Sequence, residues 1–151
     1  MTPVMQTRTG KGGNCFQACL ASLFDLPLEE VPDFCNMPGD WLSRCNRWLY
    51  QNMNLCILSL PWGVLSKHWS DMDRGLCLLS GPNRRGVRHS VVGRFQMHDD
   101  GTQDCICIHN PNPNDWGELA EVDTVDVFLV ANPHVLAGGL RLPATLEEAD
   151  A

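Results

Sequence analysis

No stretch of this chain approaches the roughly 18 consecutive apolar residues that a membrane-spanning helix needs. Met1-Thr2-Pro3-Val4-Met5-Gln6 also lacks the apolar run of a secretory signal peptide. The expected compartment is therefore the cytoplasm. Positive charge is scarce as well: 11 Lys and Arg against 18 Asp and Glu give a net charge of -7. That is the wrong sign for nucleic acid or an anionic membrane as the main partner. No Cys-x2-Cys pair is present, and Cys105-x-Cys107-x-His109 is left as the one strand-like metal-ligand arrangement to weigh; no metal or cofactor is expected. Gly10-Lys11-Gly12-Gly13 follows no strand and lacks the spacing of a phosphate-binding loop, and no internal repeat is visible.

What is present reads as one ordinary globular domain over residues 1-137, followed by an acidic tail, 138-151, holding Gly138-Gly139 and a proline. The glycine pair suggests flexibility more than a self-processing site. In a cytosolic setting the eight cysteines are expected to be reduced, most of them acting as small hydrophobes inside apolar runs.

Helical periodicity comes first along the chain. Phe16, Cys19, Leu20, Leu23 and Phe24 fall on one apolar stripe, and Asn14 with Gln17 three residues on resembles a capping box. Cys15 is then the first helical residue, where unpaired N–H groups favour a thiolate and lower the thiol pKa. A packing role for Cys15 is the plain alternative. Pro27 to Pro32 reads as a turn or helical fragment. A second helix follows, capped by Asp40, with Trp41, Leu42, Cys45, Trp48 and Leu49 on one face. From Leu55 the period shortens. Leu55-Leu60, Leu76-Ser80, Val87-Met97, Asp104-His109 and Val125-Ala131 are strands, with a possible third helix over Trp62-Trp69. Helices first and strands afterwards predict an α+β fold with an antiparallel sheet.

A reactive thiol needs a base, usually histidine, oriented by a third polar group. His98 adjoins a turn, and His68 and His134 have no polar neighbour in view. His89 and His109 remain. If Asp100-Gly101 centre a two-residue hairpin turn, or residues 99-102 form a four-residue loop, Phe95 faces Ile106, Gly93 faces Ile108 and Val91 faces Asn110. His89, Val91 and Phe95 then share the core-side face with Asn110, within side-chain reach of His89, while His109 joins Cys105 and Cys107 on the other face. A one-residue slip would reverse that choice. A buried histidine bonded to backbone is the bland reading of His89.

A Cys opening a helix, a His on a later strand and an Asn at the end of the next resemble the papain-like cysteine peptidase superfamily. The likeness is greatest to small bacteriocin-processing peptidases that cleave after double glycine, and to bacterial and phage proteins with an Asn-Cys-Phe-x-Ala-Cys-Leu-Ala-Ser-Leu opening. Three segments carry it: Gln6-Phe24, Gly86-Gly93 and His109-Gly117.

The resemblance implies a papain-like fold, with the Cys-bearing helix packed on a sheet that carries His and Asn. It also implies a peptide or protein substrate, with Cys15 as nucleophile, His89 as general base and then acid, and Asn110 as orienting residue. Gln6 matches the oxyanion-binding Gln, set further upstream than the family pattern, with the intervening glycines as an extra loop. Asp is commoner than Asn as third member in the bacteriocin branch, and Asn112 or Asp115 are substitutes if the loop folds back. Arg84, Arg85 and Trp116 are candidates for binding substrate, against the plainer readings of a solvated turn and a loop-closing side chain. Peptide or isopeptide hydrolysis is the expected reaction. The same machinery serves acyltransferases, transglutaminases and cell-wall amidases, and an inactive partner-binding scaffold is the non-enzymatic alternative.

Overall fold

The computed structural model describes residues 1–63, 75–114 and 117–132. Helix α1 spans Cys15–Phe24 and α2 Trp41–Met53, followed by strands β1 Leu55–Pro61, β2 Leu76–Pro82, β3 Arg88–Met97, β4 Gln103–His109 and β5 Thr124–Val130. The fold is α+β, with helices preceding one antiparallel sheet of order β1-β5-β2-β3-β4. His68, Asp115, Trp116, His134, the tail from 138 and all but the first two residues of the expected third helix lie outside the described residues.

Both helices stop where a non-glycine residue adopts the left-handed conformation. Asp25 (φ 55°) returns its N–H to Ala21, and Asn54 (φ 57°) to Leu49 and Tyr50. At the start of α2, the Asp40 carboxylate accepts the Leu42 N–H. The last described strand, β5, is inserted between β1 and β2, so residues distant in sequence form the centre of the sheet.

The sheet is apolar on both faces, which differs from the single core-side face expected for the hairpin. Toward the helices, Phe16, Cys19, Leu20 and Leu49 pack with Ile57, Leu78 and Val92. On the opposite face lie Cys77, Leu79, Val91, Phe95, Val125 and Val127, with Trp62, Leu119 and Val122 against them. Adjacent Val91 and Val92 are therefore both buried. Each such side chain contributes roughly 1.5–3 kcal/mol of burial.

The hairpin register also differs from expectation. Asp99, Asp100 and Gly101 form a three-residue loop closed by His98 N–H to Thr102 (2.8 Å) and Gly101 N–H to His98 (2.9 Å), with Gly101 at φ 80°. The extra loop residue slips the ladder by one, so that Phe95 faces Cys105, Arg94 faces Ile106 and Gly93 faces Cys107. The two cysteines thus share the Phe95 face instead of opposing it. Between Gly93 and Val92 the register shifts again, and Val92 pairs with His109, leaving Ile108 as the extra residue on β4. This second shift restores the relation that carries Asn110 toward His89.

Candidate active site

Pairing between β3 and β4 stops at Val92 and His109, so the β3 edge at Ser90 is open to α1. Two cysteines one helical turn apart occupy it. The Cys19 thiol donates to the Ser90 carbonyl (3.4 Å), and Ser90 backbone and hydroxyl groups beside Cys15 favour its thiolate form. Cys15 is partly exposed and lines a cavity of about 710 Å³, whose walls also include Gln6, the Gly10–Gly13 loop, Arg88, His89, Ser90 and Asp126.

His89, 3% exposed, also lines this cavity, and its Nε2 lies 2.8 Å from Asn110 Oδ1. A third group fixes the proton's position. The Asn112 backbone N–H, which can only donate, meets the same Asn110 Oδ1 at 3.0 Å. That atom is therefore an acceptor, and the His89 Nε2 must carry the hydrogen. Nδ1 is left with its lone pair, as a base requires. Asn112 Oδ1 in turn accepts the Asn114 N–H (3.0 Å), so consecutive side chain-to-backbone turns build the loop after β4. Gly117 closes against them: a Cβ there would lie 2.5 Å from Asn112 Cβ.

Burial lowers the pKa of His89, while the Asn110 bond raises it. The imidazole is neutral at neutral pH. For Cys15 the expected lowering is reversed: burial pushes the thiol up, outweighing the favourable contacts from Ser90, Phe16 and its own backbone. A sulfur withdrawn from water gains less from the helix end than it loses in hydration. Among the described residues the thiol makes no hydrogen bond to His89; the groups that favour its thiolate are Ser90 and the backbone of Cys15 and Phe16.

The capping box does not form. Asn14 occupies the N-cap position with no side-chain cap bond. Its Oδ1 accepts the Thr7 and Arg8 N–H groups (3.0 and 2.9 Å), and its amide donates to Thr7 Oγ1 and Gln17 Oε1 (3.1 and 2.9 Å). Gln17 passes the connection on to the Leu28 and Val31 carbonyls. Asn14 is thus spent on anchoring the segment before the glycine loop, and the first N–H groups of α1 stay without a side-chain cap.

That segment carries Gln6, 7% exposed. Its backbone N–H bonds Pro111 (3.0 Å), joining it to the Asn110 loop, and its Nε2 donates to the Arg8 carbonyl (2.7 Å). The Nε2 retains a second hydrogen, and Oε1 is buried without a partner. Gly10 and Gly12, at φ 75° and 87°, provide the detour between Arg8 and Asn14 that lengthens the spacing to Cys15.

Arg84 and Arg85 do not line the cavity. Arg84 pairs with Glu118 in solvent, and Asn83 Oδ1 organises the turn by accepting the Arg85 and Val87 N–H groups. Arg88 is the arginine on the cavity wall. Asn112 lies on the wall too, but its side chain serves the loop. His109 is occupied elsewhere, with Nε2 on the Val4 carbonyl at 3.0 Å. The extra residue Ile108 breaks the alternation that would have aligned it with Cys105 and Cys107. No group of three or more His, Cys, Asp or Glu suited to a metal occurs among the described residues. No helix among them is long and apolar enough to cross a membrane.

Sequence reasoning missed Ser90 and Asp126. A lone acid inside Val125-Asp126-Val127-Phe128 was the available signal for the second, since a carboxylate in a buried strand calls for a partner. Comparison of the chain with family models, curated proteins and solved structures gave no match.

Proposed function

We propose that this protein is a papain-like thiol hydrolase that cleaves a peptide or isopeptide bond through Cys15, His89 and Asn110. The supporting observation is the Asn110 contact, which leaves His89 Nδ1 as a proton acceptor on the cavity that Cys15 enters. The reaction starts with the thiol leaving Ser90 for His89. Catalytic hydrogen bonds are often long or unformed before substrate binds.

His89 takes the thiol proton, the sulfur adds to the carbonyl carbon, and the oxyanion is held by the backbone N–H at the start of α1 and the second Nε2 hydrogen of Gln6. Collapse of this intermediate breaks the C–N bond as His89 returns the proton to the leaving amine. Water then attacks the thioester with His89 again as base, releasing the acid and restoring the thiol.

One observation favours a second reading, a scaffold that binds a partner protein and uses Cys15 for packing: burial raises the Cys15 thiol. Acetylation by p-nitrophenyl acetate, followed by mass spectrometry, separates the two. For the hydrolase, the acetyl group collects on Cys15 and then decays, and His89→Ala slows its arrival about 100-fold. Acetylation spread over several cysteines, or unchanged by His89→Ala, supports the scaffold.

A further inference from the structure

The cavity wall holds a charged group that this chemistry does not use. Asp126, on central strand β5 opposite Ser59 and Leu78, is 2% exposed, and its Oδ1 has no hydrogen-bond partner. Burial raises its pKa, and the Ser59 hydroxyl and the Arg88 charge act in the opposite sense by favouring the ionised form. Arg88, the cation within its electrostatic reach, is committed elsewhere: its guanidinium meets both Asp123 oxygens (2.9 and 3.0 Å) and Thr124 Oγ1 (2.9 Å). Lys11, the other cation on the wall, is exposed on the glycine loop. Asp126, Cys35 and Cys15 line the same cavity.

A purely structural carboxylate at this depth would have donors on both oxygens, because an unpaired buried oxygen costs free energy. We infer that Asp126 is a specificity residue whose free oxygen receives the cationic side chain, lysine or arginine, of the substrate residue beside the bond attacked by Cys15. The inference rests on Cys15 being the reacting group. The net charge of -7 works in the same direction by drawing cationic peptides to the protein.

The test measures protection of Cys15 from iodoacetamide at pH 8 by N-acetyl-lysine methylamide and by its uncharged analogue, N-acetyl-norleucine methylamide. A charge-assisted hydrogen bond predicts about tenfold tighter protection by the lysine compound. Asp126→Asn should abolish this preference. Asp104→Asn, an equal charge change at an exposed β4 position, should leave it intact. Asp126→Ser is a second variant, small enough for the site if the first folds poorly. Equal protection by the two compounds, protection by neither, or a preference that survives loss of Asp126 overturns the inference. The assay reads binding without turnover, so failure of the hydrolase reading shows separately in the acetylation experiment.

Discussion

At its turn end the β3–β4 hairpin is a regular ladder from Met97 and Gln103 to Gly93 and Cys107, closed by a loop whose Asp100 carboxylate accepts the Thr102 N–H and hydroxyl. At its other end Ile108 is added, Val92 meets His109, and the chain leaves the sheet through Asn110 and Asn112. The turn end sets register by local loop chemistry. The site end gives up ladder regularity to put a helix and an asparagine loop around His89. The irregular end of the hairpin is the one that carries the candidate site.

Deleting Ile108 breaks this difference most directly, because the ladder would then continue in the turn's register and Asn110 would move away from His89. Alkylation of Cys15 at pH 7 should fall about 100-fold, the usual contribution of a positioned base, with circular dichroism reporting whether the sheet persists. Asn110→Ala keeps the backbone and removes the orienting oxygen. The expected loss is about tenfold at pH 7, roughly the value of one hydrogen bond, and Asn110→Asp should restore more of the rate than Ala does.

Gly117→Ala tests the loop behind Asn110. The new methyl meets Asn112 at 2.5 Å, so thermal unfolding should reveal a loss of about 1–3 kcal/mol, typical of overpacking. Asp100→Ala at the turn end should have the smallest effect: stability falls by less than about 1 kcal/mol, and Cys15 alkylation is unchanged.

How much of this was legible in the sequence follows from the same contrast. The helix and strand positions were readable because apolar periodicity carries them. Asn110 was reached by way of a turn one residue off in length, an error that the extra residue at Ile108 cancels. Neither deviation leaves a mark in hydrophobic alternation, since Ile106 and Ile108 look the same in sequence. Asn14 shows a different limit. Its residue type fits a cap, but only the fold reveals that Thr7 and Arg8 present better donors. The insertion of β5 beside β2 depends on long-range pairing, which composition does not encode.

The central claim is that His89 acts on Cys15, and the pH profile of Cys15 alkylation by iodoacetamide, resolved by peptide mass mapping, tests it most directly. Burial raises the thiol above its ordinary value of 9.0, so an unaided Cys15 gains reactivity only as pH rises past that value. Burial lowers the His89 pKa, which keeps the imidazole neutral but a weaker base, so a low-pH midpoint requires that pairing of thiolate with imidazolium outweigh both burial shifts. The wild type is predicted to label Cys15, alone among the eight cysteines, with a midpoint well below pH 8, and His89→Ala to move it above 9.0. A wild-type midpoint already above 9.0 and unmoved by His89→Ala would contradict the account.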